Sequence, residues 1–369
     1  MSAIKEGKAQ ILLKEGVFFN PKMELCRDVS SLAVGAYGGK NIALLDGFCA
    51  SGVRGIRYKL ENANIGKVTL VDLSRKACAL ARKNVRANKL KDAEVKFSEI
   101  NKFLIGTGFE LIELDPFGSP APHIYDALRS IARNGGGALS ATATDMAVLC
   151  GAHFKACVKN YNARPLDNEF CHENAARILL GFIARNAAQF NLGMEVCFTF
   201  SDLHYLKVFV KLERGAEKAD ETMKKLGYIV FCPSCLERVL GSVSEIPRGK
   251  CLCGGSWEFA GPLWLGNLWE KKFVEKMIKL NVKRRYANKE KIDSLLKTIE
   301  GELDLPATYY DVHKLCKRLK TSPPSMKSLL EKLRAKRVKT AKTHFANNCV
   351  RMEEGKLEIL KKILVEANV

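Results

Sequence analysis

Between Ile42 and Asp145 the sequence alternates short apolar runs with amphipathic segments, and few folds accept that alternation. The apolar runs are Ile42-Ala43-Leu44-Leu45-Asp46, Lys67 to Asp72, Glu94 to Phe97, Phe109 to Leu114 and Gly135 to Thr142. Between them, Ile56 to Asn62, Ser74 to Asn88 and Pro122 to Arg133 read as helices, with Ser74 placed to cap the second. Strand and helix in strict succession predict a mostly parallel sheet with helices on both faces. Such sheets bind ligands outside the carboxyl ends of their strands. Those ends carry acids here: Asp46, Asp72, Glu99 and Asp115. One such acid is ordinarily a helix cap; four at successive strand ends predict a site.

Two of the strand ends carry more detail. After Asp46 comes Gly47-Phe48-Cys49-Ala50-Ser51-Gly52-Val53-Arg54-Gly55, whose small residues allow a ligand to approach the backbone ahead of a helix. The loop lacks the G-x-G-x-x-G spacing of pyrophosphate sites. Asp72, about 20 residues on, is placed to accept both hydroxyls of a ribose. A cofactor with a nucleoside but no pyrophosphate fits this pair. The other strand end is Glu113-Leu114-Asp115-Pro116-Phe117-Gly118-Ser119-Pro120. It offers a carboxylate, a carbonyl from Pro116 and the flat ring of Phe117, which suits a planar base held by an exocyclic amine.

Outside this region, Lys8 to Gly16 is expected to form a hairpin or short helix, and Met23 onward a helix after the Asn20-Pro21 turn. Phe18 and Phe19, beside that turn, are either core packing or a lid over a site. Cys171 to Phe190 reads as a long helix, and Met194 to Phe200 with Leu203 to Leu212 as a hairpin around Ser201-Asp202 that closes a sheet edge. His153, His172 and His204 are expected to be structural. Of 13 cysteines, Cys232, Cys235, Cys251 and Cys253 cluster within 22 residues. The C-x₂-C pair, then C-x-C after fifteen residues, predicts a zinc-ribbon-like module with a closed structural Zn2+ shell and no catalytic role.

The chain carries 60 Lys and Arg against 40 Asp and Glu, a net charge of +20. Residues 263–369 hold 25 basic against 13 acidic residues, so +12 of the excess lies there. Interleaved lysines can be a solvated face. An excess of this size predicts a polyanionic partner, nucleic acid before membrane. The expected units are residues 1–222, an α/β domain with an N-terminal extension; 223–262, the cysteine module; and 263–369, a basic α+β domain of weakly winged-helix character. The first residues lack the apolar core of a secretory signal, and no run of about eighteen apolar residues occurs. A cytoplasmic protein is expected, without a membrane partner and with no obligate protein partner evident.

These motifs, in this order, resemble the tRNA (guanine(26)-N(2))-dimethyltransferase family, in its compact archaeal form. The strings that carry the likeness include Phe19-Asn20-Pro21-x-Met23 with Arg27-Asp28, and Ser51-Gly52-x-Arg54-Gly55-Ile56-Arg57. Further on come Asp115-Pro-Phe-Gly-Ser-Pro120, Thr142-Ala-Thr-Asp145 and Leu149-Cys-Gly-Ala-His153, then Gly261-Pro-Leu-Trp264 and Thr343-His-Phe345. Phe48-Cys49 and Glu99 depart from the family's usual residues, and only part of the family carries the four cysteines. The resemblance implies a class I, Rossmann-like methyltransferase fold, S-adenosylmethionine as methyl donor, and tRNA as partner. It implies Asp72 on the ribose, Glu99 on the adenine amine, and Arg27 and Asp46 near the methionine moiety, with Gly52 and Arg54 shaping the loop. Asp115 and the Pro116 carbonyl would hold the guanine amine, and Phe117, with Phe19, would stack on the base. Two rivals remain: a DNA adenine-N6-type amino-methyltransferase, and a non-enzymatic zinc-ribbon RNA-binding protein.

Overall fold

The computed structural model describes residues 2–247 and 249–366. The chain opens with an antiparallel hairpin, β1 (Ser2–Glu6) and β2 (Ala9–Leu13), and helix α1 (Glu24–Tyr37). The alternating region follows as β3 (Ile42–Asp46), α2 (Val53–Glu61), β4 (Ile65–Asp72), α3 (Arg75–Ala87), β5 (Ala93–Phe97), α4 (Ile100–Leu104), β6 (Leu111–Leu114), α5 (Ala121–Arg133) and β7 (Gly136–Ala143). Ser74 caps α3 by accepting from the Ala77 amide. Two short helices, α6 (Met146–Leu149) and α7 (Phe154–Tyr161), lead to α8 (Cys171–Ala188). The hairpin β8 (Leu192–Asp202) and β9 (Tyr205–Arg214) then closes the sheet. Its turn is Leu203-His204, two residues beyond the expected Ser201-Asp202, with Leu203 in the left-handed region at φ 48°.

Seven strands join in the order β5-β4-β3-β6-β7-β9-β8. The first five are parallel and the last two antiparallel. β3 and β6 are covered on both faces, so their sequences are apolar throughout except for buried Asp46 and Glu113. The chain runs outward from β3 to β4 and β5, then returns to build β6 and β7 on the other side. The switch point therefore lies between β3 and β6, where a crevice opens at the carboxyl ends.

After α9 (Ala216–Met223), strands β10 (Leu226–Phe231), β11 (Arg238–Gly241) and β12 (Glu258–Trp264) form a separate three-stranded antiparallel sheet. The last third comprises α10 (Lys271–Lys283), α11 (Lys289–Glu302), β13 (Tyr310–Asp311), α12 (Val312–Leu319), α13 (Met326–Ala335), β14 (Thr340–Lys342), β15 (Cys349–Met352) and α14 (Leu357–Glu366). β13, β15 and β14 make a small sheet beside the helix pair. This last third is bonded to the front of the chain. Arg284 donates to Asn62 at 2.7 Å, Tyr286 to Glu61 at 2.8 Å and Asn288 to Asp28 at 3.1 Å. Arg351 joins Glu173 of α8 to Glu302 of α11, with all three side chains buried.

Candidate active site at the strand tips

Asp115 stands just past β6, with 22% of its side chain exposed. The Arg54 guanidinium, from the first turn of α2, donates to its Oδ2. Beneath it, Lys207 of β9 donates to Glu113 and, at 3.0 Å, to the Thr142 hydroxyl. Tyr58 donates to Glu113 at 2.8 Å, and Arg54 Nε lies 4.0 Å from the same carboxylate. Burial pushes the Asp115 carboxyl up, but Arg54, Lys207 and the Thr142 hydroxyl outweigh it and hold the group below the usual carboxylate range. Asp115 is thus an ionised acceptor at the edge of a buried two-cation, two-anion network.

The loop that follows is braced from below. Gly118, at φ 75°, exchanges hydrogen bonds with Thr144: its amide donates to the Thr144 hydroxyl at 2.8 Å, and its carbonyl accepts from the Thr144 amide at 2.9 Å. Ser119 bonds to the Tyr161 hydroxyl at 2.7 Å, and Tyr161 donates to Asp145 at 3.0 Å. Phe117 is left 77% exposed. Its neighbour is Phe18, edge-on at 4.7 Å between centroids. The expected partner, Phe19, instead lies under Arg27, 5.1 Å from its ring centre, and is half-buried. Phe18, and not Phe19, is thus the ring in contact with Phe117.

On the other side of the switch point, Asp46 is buried and accepts from the Gly55 amide at 2.9 Å. Burial raises its carboxyl to about 7. Gly52, at φ 82°, sits where a side chain would be strained. Ala50 accepts that strain at φ 45° and donates to Asp72 Oδ2 at 2.8 Å. Asp72 Oδ1 accepts from the Ser74 amide at 2.8 Å. Glu99 caps α4, taking the Asn101 and Lys102 amides at 3.0 and 2.8 Å. Each of these two carboxylates has two of its roughly four acceptor positions occupied by amides. The cap role ordinary for a strand-end acid thus coexists with open lone pairs. Leu73, between Asp72 and Ser74, is 67% exposed, an apolar surface beside a nucleoside-type loop.

Arg27 is paired within the N-terminal region. Its Nε and Nη2 each reach Glu6 at 2.6 Å, and Nη1 and Nη2 reach the Asn20 carbonyl at 3.2 Å. These bonds tie the N-terminal hairpin to the Phe18–Pro21 turn. Arg54, expected to shape the loop, points at Asp115.

The four module cysteines converge. Their sulfurs all lie within 4.8 Å of one another, with Cys232 to Cys253 and Cys235 to Cys251 at 3.5 Å. A tetrahedral shell with Zn–S about 2.3 Å has S–S edges of about 3.8 Å, so this donor set fits a zinc ion with little movement. Burial raises the Cys232 thiol, but the Cys235 and Ser234 amides outweigh it and bring the group to about 7, toward the thiolate a metal needs.

Lys207, Glu113 and Tyr58 were not among the residues predicted for the site, and Phe18 was expected only as core or lid. A trace of the first two exists: a lone lysine in Tyr205-Leu-Lys-Val-Phe-Val210 and a lone glutamate in Leu111-Ile-Glu-Leu114, each in an otherwise apolar strand.

A solved structure, the complex of Trm1 from Pyrococcus horikoshii with S-adenosyl-L-methionine, superposes with a TM-score of 0.88 at 35% identity, covering 99% of both chains. Together with the sheet order and the strand-tip acids, this defines an α/β S-adenosylmethionine-dependent methyltransferase fold. A family model described as N2,N2-dimethylguanosine tRNA methyltransferase matches residues 2–364. Relatives named tRNA (guanine(26)-N(2))-dimethyltransferase include one from Methanosphaera stadtmanae, 34% identical over 97% of this chain and 93% of its own. A second, from Pyrococcus horikoshii, is 37% identical over 98% of each. A relative from Aquifex aeolicus, 35% identical over 98% and 96%, is named for guanines 26 and 27. The chain belongs to the N2,N2-dimethylguanosine tRNA methyltransferase family.

Proposed function

We propose that this protein transfers one or two methyl groups from S-adenosylmethionine to the N2 amine of guanine 26 in tRNA, by direct in-line transfer. The observation that carries the reading is Asp115, held ionised by Arg54 and backed by Lys207 beside a ring of Phe117 that is open to solvent.

S-adenosylmethionine supplies the electrophilic methyl group, and the residues beside β3 and β4 fit it. Asp72 keeps lone pairs for the ribose hydroxyls, Leu73 offers its apolar face, and Glu99 keeps lone pairs for the adenine amine. Asp46 and Gly52 set the backbone turn that would meet the methionine moiety.

The guanine amine is conjugated with its ring and nearly non-basic, so its lone pair must be aimed. Asp115 and the Pro116 carbonyl accept its two N–H groups and turn it toward the donor. The charge on Asp115 stabilises the positive charge that develops on the nitrogen. The N-methylated cation is so acidic that even a carboxylate of lowered pKa takes its proton. Phe117 and Phe18 receive the base once it has left the tRNA stack. Much of the rate enhancement comes from this positioning. Cys49 and Cys150 need no nucleophilic role.

For the tRNA backbone, α12, α13 and the residues that flank them before β14 offer exposed Lys314, Lys317, Lys320, Lys332, Lys336 and Lys339. Cys232, Cys235, Cys251 and Cys253 would hold a structural Zn2+ that fixes the ends of β10 and β12. The chain accordingly divides into a catalytic unit at 1–222, a zinc-ribbon-like unit at 223–262 and a tRNA-binding unit at 263–369. No helix of the described residues is long and apolar enough to cross a membrane.

The test is nucleoside mass spectrometry of unmodified tRNA transcripts incubated with the protein and labelled S-adenosylmethionine. N2-methyl- and N2,N2-dimethylguanosine are expected from a G26 transcript and not from an A26 transcript. Label in the adenines of duplex DNA, or no transfer to either substrate, overturns the proposal.

A further inference from the structure

The string Leu149-Cys150-Gly151-Ala152-His153 has no part in the mechanism above, yet its cysteine sits in a built environment. Cys150 is the residue at which α6 ends, and Cys171 and His172 open α8. A thiol, a second thiol and an imidazole nitrogen converge there within 4.8 Å of one another, each half-buried. Among the described residues the only comparable soft-ligand cluster is the four-cysteine set.

The backbone shows how these residues meet. Gly151 takes φ 106°, and a Cβ at that position would lie 2.9 Å from the Asp167 amide nitrogen and 3.2 Å from the Leu166 carbonyl carbon. A glycine is therefore required for the Cys150 turn to press against the segment that leads into α8. Through that contact Cys150 reaches Cys171, 21 residues away in sequence.

We infer that Cys150, Cys171 and His172 form a second metal site, suited to zinc and distinct from the four-cysteine module. Two sulfurs and one imidazole are a donor set of intermediate softness, which zinc prefers over hard cations. Three protein ligands leave a fourth position, filled by water or by a nearby carboxylate such as Asp167.

Such an ion would clip the end of α6 to the start of α8. α6 begins at Asp145, the residue that holds Tyr161 and through it Ser119 of the Phe117 loop. The site is thus a positioning device for that loop, and His153, which opens α7, lies outside it.

The test is the zinc content of full-length protein loaded with zinc sulfate and separated from unbound metal by gel filtration. Two ions per chain are expected for the wild type, and one each for Cys171→Ser and for the Cys232→Ser/Cys235→Ser variant. His172→Ala is expected to behave as Cys171→Ser does, which guards against a folding defect peculiar to one substitution. Cobalt loaded into Cys232→Ser/Cys235→Ser should give thiolate-to-cobalt charge-transfer absorption that disappears when Cys171→Ser is added. Zinc content unchanged by Cys171→Ser and His172→Ala, or no ion in Cys232→Ser/Cys235→Ser, overturns the inference. So does a Cys150–Cys171 disulfide in the intact mass of the zinc-loaded protein.

Discussion

Lys207→Met is the most informative single substitution in the buried network. Lys207 and Glu113 side chains are 4% and 0% exposed, and the ammonium is the cation in direct contact with that carboxylate. Without it, Glu113 keeps the Tyr58 hydroxyl at 2.8 Å and a shared guanidinium 4.0 Å away. Removing one partner of a buried ion pair typically costs about 3–5 kcal/mol, because the other charge stays behind without its counter-ion. Methionine replaces most of the lysine stem, so packing is largely kept and the cost is electrostatic. Urea unfolding followed by the fluorescence of buried Trp264 and Trp269 should therefore show a stability loss of about 3–5 kcal/mol at neutral pH with an unchanged slope. Adding Glu113→Gln to Lys207→Met should recover about half of that loss or more, since the stranded charge is gone. A loss under about 1 kcal/mol for the single variant, or strict additivity of the two substitutions, refutes the reasoning.

Phe18→Ala and Phe117→Ala should each weaken productive binding by about 1–3 kcal/mol in single-turnover assays, the usual worth of a base–aromatic stack, while Phe19→Ala leaves that binding step unchanged; equal effects at Phe18 and Phe19 count against the observed pairing. The Asp46 carboxyl is raised from 3.8 to about 7, so the folded state keeps its proton where the unfolded state has lost it. Stability should consequently fall as pH rises from about 4 to about 7, by roughly 4 kcal/mol at most, and Asp46→Asn should flatten that slope in pH-dependent urea melts. Replacing Lys314, Lys317 and Lys336 together by Gln should reduce the steepness of log K for tRNA against log salt by about 0.7–0.9 for each phosphate no longer neutralised; an unchanged slope places the backbone-binding surface elsewhere. Zinc chelation should unfold the β10–β12 sheet before the main sheet, seen as early exchange of its amides, and protection of that sheet unchanged by chelation contradicts a structural ion there.

The parallel sheet was legible because its central strands β3 and β6 are buried and apolar but for Asp46 and Glu113, and because Ser74, Asn20 and Gly52 mark where helices and turns begin. The strand-tip acids were legible for the same reason: a carboxylate ending an apolar run stands out. What each acid bonds to was not. Arg27 finds Glu6 across 21 residues, Arg54 finds Asp115 across 61 and Lys207 finds Glu113 across 94, pairings that only the assembled sheet decides. Phe18 and Phe19 are adjacent and chemically identical, so their separate fates follow from which side of the turn faces Phe117. The four-cysteine set was legible from spacing alone. Cys150, Cys171 and His172 were not, because no short repeat links a helix end to a helix start.

In the proposed mechanism Asp115 is the ionised group that aims the guanine amine. The direct measurement is the single-turnover rate of methyl transfer to a G26 transcript by Asp115→Ala, alongside its affinity for the same transcript. Loss of an aimed charge-bearing acceptor should lower the rate by about 10³-fold or more, with tRNA affinity within about twofold of wild type, because the phosphates are held elsewhere. A rate within about tenfold of wild type contradicts the account.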